Sequence, residues 1–119
     1  MTPISWLLAC VIAITHVPPK LLDAVAHVES GWSSAAVSRS NCRGVYQICP
    51  PQTSVPTPWL HDDLVGRMEA ARMLHRWNQR ARGSWTLALQ AYRCGGKGLK
   101  SKCGVAYAKA VLQVWRGIQ

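Results

Sequence analysis

Between Asp62 and Gly83 the apolar residues Leu64, Met68, Ala71, Leu74, Trp77 and Ala81 recur at steps of three and four, the spacing of one face of an α-helix. Asp62 and Asp63 open the segment and Arg76, Arg80 and Arg82 close it, a charge order that complements the helix dipole. Gly83 ends it. The rest of the chain follows the same period. Leu21, Leu22, Val25 and Val28 share helical spacing after Pro18-Pro19, and Gly31 is a left-handed terminator. Ser84 is placed to cap a short helix carrying Trp85, Leu89 and Tyr92. Val105, Ala108, Leu112 and Trp115 predict a last helix. Residues 33–44 are small and polar and read as loop. Residues 49–58 hold Pro50, Pro51, Pro56 and Pro58, a density that neither a helix nor a central strand survives. Residues 94–104, with four glycines, form another loop. With no internal repeat and few credible strands, the 119 residues predict one mainly α domain.

Residues 4–17 are an apolar run broken only by Ser5, Thr15 and His16. The run is shorter than the roughly 20 residues that span a bilayer and has the length of a signal-peptide apolar region. Val11-Ile12-Ala13 spaces small residues for cleavage after Ala13, and Leu7-Leu8-Ala9-Cys10 resembles a lipoprotein processing site. Both lack the usual basic start. Residues 1–16 are therefore either an export signal or anchor, or a first helix packed on the domain formed by 17–119.

Five cysteines crowd the chain. No C-x-x-C and no helically spaced His pair occurs, so no metal site is expected. Two disulfides in an oxidising compartment fit better. Spacing favours Cys42 with Cys49 and Cys94 with Cys103, leaving Cys10 apart, although four cysteines allow three connectivities and free thiols are the alternative. Fourteen Lys and Arg against five acids give a net charge of +9, which predicts an anionic partner or simply a solvated basic surface. Six Trp without Phe suit either a groove that stacks on flat rings or core filling.

Glu29 lies four residues after Val25 and seven after Leu22, on an otherwise apolar helix face. Burial there would raise its pKa and leave a carboxylic acid able to protonate a leaving oxygen near neutral pH. The plainer alternative is a helix-end Glu turned to solvent before Gly31. The other acids have ordinary explanations. Asp62 and Asp63 start a helix, Glu69 between Arg67 and Arg72 reads as a surface ion pair, and Asp23 lies nearly two turns from Glu29. No partner for a two-carboxylate hydrolase stands out.

Val28-Glu29-Ser30-Gly31-Trp32 followed by Ala36-Val37-Ser38 resembles the opening motif of soluble lytic transglycosylases, relatives of goose-type lysozymes. Gly44-Val45-Tyr46-Gln47 is similar to their second motif, usually Gly-Leu-Met-Gln. Glu69-Ala70-Ala71 with Leu74 falls at their central helix. Ala88-Leu89-Gln90-Ala91-Tyr92 resembles the third motif, usually ending Ala-Tyr-Asn-Ala-Gly. Order and spacing agree over roughly residues 17–100.

The resemblance implies a lysozyme-like domain with a saccharide-binding cleft that cuts between N-acetylmuramic acid and N-acetylglucosamine. It implies that Glu29 acts first as acid and then as base, while the muramoyl 6-hydroxyl closes a 1,6-anhydro ring. The substrate would supply its own nucleophile. Ser38 would bond substrate near the cut, Gln47 would line the cleft, Gly44 would let the backbone turn, and the Tyr92 hydroxyl would lie near Glu29 and the sugar. Tyr46 in place of Met would offer an aromatic platform. Arg93 in place of Asn would face the lactyl or peptide carboxylates, or point away.

No cofactor is implied. The partners would be peptidoglycan strands and the anionic bacterial envelope. Nucleic acid is not expected, since no long basic helix or nucleic-acid motif occurs. A monomer is expected, in the periplasm, outside the cell or delivered by a virion, serving phage lysis or the wall passage of a secretion or pilus machine. The competing readings are a hydrolytic lysozyme on the same fold and a non-enzymatic cationic protein.

Overall fold

The computed structural model describes residues 2–96 and 102–119, the side chains of Lys102 and Cys103 excepted. Five helices carry the fold: α1 (Pro3–His16), α2 (Pro19–Ser30), α3 (Asp63–Arg80), α4 (Trp85–Cys94) and α5 (Lys102–Ile118). No strand forms among the described residues, only two isolated bridges pairing Val37 with Arg43 and Arg43 with Ile48. The mainly α expectation holds.

The helix ends obey their local chemistry. Pro3 and Pro19 start α1 and α2, where a missing N–H costs nothing. Gly31 ends α2 at φ 61°. The Asp62 carboxylate accepts from the Val65 N–H at 2.9 Å, and the Ser84 hydroxyl oxygen accepts from the Leu87 N–H at 3.2 Å. Each such cap is worth about 1 kcal/mol.

α1 packs on α3, α2 on α5, and α4 against both α3 and α5. The core between them is built from Leu21, Leu22 and Val25 of α2, Ala70, Ala71 and Leu74 of α3, Leu89 of α4, and Ala108 and Val111 of α5. Val45, Tyr46, Ile48 and Leu60 enter it from the long α2–α3 connection.

Several expectations are corrected. The proline-dense stretch is not wholly irregular: 3-10 turns form at Pro50–Gln52 and Thr57–His61, because proline sits at the first turn of each. Two helical stripes are buried only in part: Ala71, Leu74 and Ala108 lie in the core, but other members do not. In α3 Leu64 is exposed while Gly66, Ala70 and Met73 are buried, and in α5 Val105 is exposed while Tyr107 and Val111 are buried. Glu69 is no surface residue. It is fully buried, held bidentately by Arg72 at 2.6 and 2.9 Å, by the Trp6 indole N–H at 2.9 Å and by the Thr53 hydroxyl at 2.5 Å. Those donors hold its carboxyl below the usual carboxylate range. Trp6, Trp85 and Trp115 pack at the core edge, whereas Trp32 and Trp59 are exposed.

Candidate active site

The C-terminal end of α2 and the loop after it are stapled together. The Ser30 hydroxyl donates to the Val45 carbonyl at 2.7 Å, and the Gly44 N–H donates to the Ala36 carbonyl at 2.9 Å. Gly44 sits at φ 77°, and a Cβ there would collide with the Leu60 carbonyl oxygen, so only glycine lets the loop lie against the turn before α3. A disulfide joins Cys42 to Cys49 across this loop. The paired backbone bonds between Arg43 and Ile48, at 2.9 and 3.1 Å, hold its two sides together.

This folding brings three distant sequence segments to one surface hollow of about 430 Å³. Glu29 comes from the end of α2, Ser38 and Gln47 from the stapled loop, and Tyr92 and Arg93 from α4. Arg39, Gln52 and Met73 complete its wall. Cys42, Cys49 and Cys94 lie in the lining too. Cys94 is disulfide-bonded. The side chain of Cys103 lies outside the described residues. Cys10 is a buried free thiol, its pKa pushed up to about 11, first by burial and then by Glu69.

Among the described residues, Glu29 is the sole acid lining the hollow. Its side chain is 4 % exposed, and burial pushes its pKa from 4.5 to about 7. Arg93 opposes that rise: its Nη1 lies 3.1 Å from Glu29 Oε1. The Arg93 guanidinium is itself 45 % exposed, so solvent screens much of the attraction.

Tyr107 of α5, which sequence reasoning missed, also acts on Glu29. Its buried hydroxyl makes no well-aligned hydrogen bond yet lies near enough to favour the ionised carboxylate. The Tyr107 ring stacks on Tyr92 at 6.5 Å between centroids and lies 5.9 Å from the Arg93 guanidinium carbon. The available signal was its position one helical turn before Val111, on an apolar face that a phenol enters only with a purpose for its hydroxyl.

Other residues take different places from those expected. Tyr46 is in the core, 2 % exposed, with its hydroxyl bonded by Arg67 Nη1 at 2.9 Å. It offers no platform to a ligand, because the loop turns its ring inward over Gly66. Gly44 is a structural pivot away from the hollow. The Tyr92 hydroxyl donates to the Tyr46 carbonyl at 2.8 Å, so its proton is committed within the fold. Ser38 Oγ accepts from the Cys42 N–H at 3.1 Å, which leaves its own proton to give. Gln47, at φ 51°, donates to the Gly44 carbonyl at 3.0 Å and keeps its amide oxygen for other partners. No tryptophan lines this hollow among the described residues.

A carboxyl with a pKa near 7, shielded from water and facing a hollow with hydroxyl, amide and guanidinium groups, can protonate a leaving oxygen and then take a proton back. A family model described as Transglycosylase SLT domain matches residues 12–113. No curated protein and no solved structure matches the chain.

Proposed function

Because the chain belongs to the transglycosylase SLT family, lytic transglycosylases that act on peptidoglycan, we propose that it cuts the β-1,4 bond between N-acetylmuramic acid and N-acetylglucosamine with Glu29 as its acid and base. Its enzyme class is that of a glycosidic-bond lyase, and its substrate places its work in the periplasm or outside the cell.

The observation that carries this reading is a solitary, nearly buried carboxyl with a pKa of about 7 in the hollow. Protonated Glu29 gives its proton to the glycosidic oxygen as the bond from that oxygen to the muramoyl anomeric carbon breaks. The muramoyl 6-oxygen then bonds to the anomeric carbon and its proton passes to the Glu29 carboxylate. The ring closes as a 1,6-anhydro sugar, no water is consumed, and Glu29 ends protonated as it began. A second carboxylate to activate water has no task. Ser38 and Gln47 hold sugar hydroxyl and acetamido groups. Arg93 leaves Glu29 as substrate enters, its exposed guanidinium turning to the substrate's carboxylates.

Digesting purified peptidoglycan and weighing the fragments tests this. Anhydro ends, lighter by one water than reducing ends, are expected, and Glu29→Gln is expected to lower their release by roughly 100-fold or more. Reducing ends would identify a hydrolase, and undiminished lysis by Glu29→Gln would remove the enzyme reading of the site.

A further inference from the structure

A neighbouring hollow lies beside the one that holds Glu29. This second hollow, of about 250 Å³, shares Gln52, Met73 and Tyr92 with the first and runs along α3, lined by Arg72, Arg76, Trp77 and Arg80. The three arginines follow at steps of four, so they stand on one face of the helix. Arg72 is neutralised by Glu69. Arg76 and Arg80 are exposed, and neither has a carboxylate partner among the described residues.

The chain has only five acids, and each is engaged elsewhere. Asp23 pairs with Arg67, Glu29 with Arg93 and Glu69 with Arg72, Asp62 caps α3, and Asp63 accepts from Ser34. The Arg80 guanidinium lies over the Trp77 ring at 5.1 Å. Stacking through its face leaves the N–H edge free for a planar anion. Two uncompensated guanidiniums in a concave surface are built for carboxylates, which arginine grips with paired hydrogen bonds.

We propose that this second hollow is a carboxylate-binding subsite that receives the peptide stem of the glycan strand being cut. The assignment rests on the reading that the glycan occupies the Glu29 hollow. The two hollows adjoin through Gln52, Met73 and Tyr92, so one substrate molecule can reach from Glu29 to Arg76 or Arg80. The volume admits a few peptide residues and is too small for a nucleic-acid duplex. The enzyme would accordingly prefer stem-bearing strands to strands without carboxylates.

The test uses Glu29→Gln, so that binding is read without cleavage. Sedimentation measures its affinity for untreated sacculi and for sacculi whose carboxylates have been capped as neutral methylamides. Untreated sacculi are expected to bind several-fold tighter. Adding Arg76→Gln and Arg80→Gln should remove that difference, and Arg76→Lys with Arg80→Lys should retain part of it. Equal affinity for both sacculi, no binding to untreated sacculi, or a difference untouched by the double Gln variant would overturn the subsite. Absence of anhydro products from the parent chain would instead overturn the proposed reaction, and the sedimentation ratio would still decide the subsite.

Discussion

With one guanidinium at 3.1 Å and a side chain 4 % exposed, Glu29 holds its proton to about pH 7 because burial outweighs Arg93. The first step needs the protonated acid, so activity falls as pH climbs past about 7. Removing the opposing cation with Arg93→Ala raises the Glu29 pKa further. The alkaline limb of the kcat/KM profile should therefore move upward, and a limb that stays in place or moves down would show that Arg93 does not govern the acid. The same shift weighs on stability. A carboxyl whose folded pKa of about 7 exceeds its ordinary 4.5 costs nothing below pH 4.5, where both states are protonated. It destabilises the fold progressively as pH rises through 7, by about 3 kcal/mol at the plateau. Glu29→Gln should thus match the parent at pH 4 and exceed it by about that amount at pH 8 in denaturant unfolding. Equal stability at both values would mean that the carboxyl is better solvated than its burial implies.

The stapled loop between α2 and α3 is the element on which the hollow depends. Cys42 and Cys49 close a segment only seven residues apart, yet that segment carries Gln47 and the Gly44 pivot. Replacing both cysteines with Ala should cost about 2–3 kcal/mol from loop entropy alone, and should lower kcat/KM more than a distant destabilising change of equal size. Thermal unfolding and fragment release, measured together, check this. Much of this element was legible: the local disulfide follows from spacing, and the motif resemblance implies the backbone turn at Gly44 and the positions of Ser38 and Gln47 beside the hollow. What was not legible has physical causes. Periodicity gives the period of a helix but not the edges of its buried face when neighbouring stripes are both apolar, as with Val105 beside Gly104 and Tyr107. Small residues mark close approach rather than exposure: Gly66 lets the Tyr46 ring come within 3.3 Å of a would-be Cβ. Tyr46 turned inward because a loop can bury an aromatic that a motif leaves unassigned. Glu69 is buried because Trp6, 63 residues away, supplies a donor that no local reading can anticipate.

At the scale of the whole molecule the open question in the sequence was the first 16 residues, and the structure explains why they were ambiguous. α1 is apolar on both sides. Cys10 and Ala13 face the domain, fully buried, while Ile4, Leu8, Val11 and Ile12 are 53–72 % exposed. A helix with two apolar faces has no period to read, and signal segments have the same composition. No single described helix is long and apolar enough to cross a membrane. The inner face of α1 nevertheless completes the domain. Trp6 donates to a carboxylate that has no water to turn to, a bond to a charged group worth about 1.5–3 kcal/mol, and the burial of Trp6, Cys10 and Ala13 adds several kcal/mol more. A domain of this size has roughly 5–15 kcal/mol in all. A chain starting at Val17 should therefore lose most of its stability and its cooperative melt, even though Glu29, Ser38, Gln47, Tyr92 and Arg93 all remain. Circular dichroism melts of the two chains decide it. A truncated chain that unfolds cooperatively within about 1 kcal/mol of the full one would show that α1 only rests on the domain, whereas its collapse would make α1, through the Trp6–Glu69 bond and the buried Cys10 and Ala13 together, the tie that keeps α3, and with it the wall at Met73, in place.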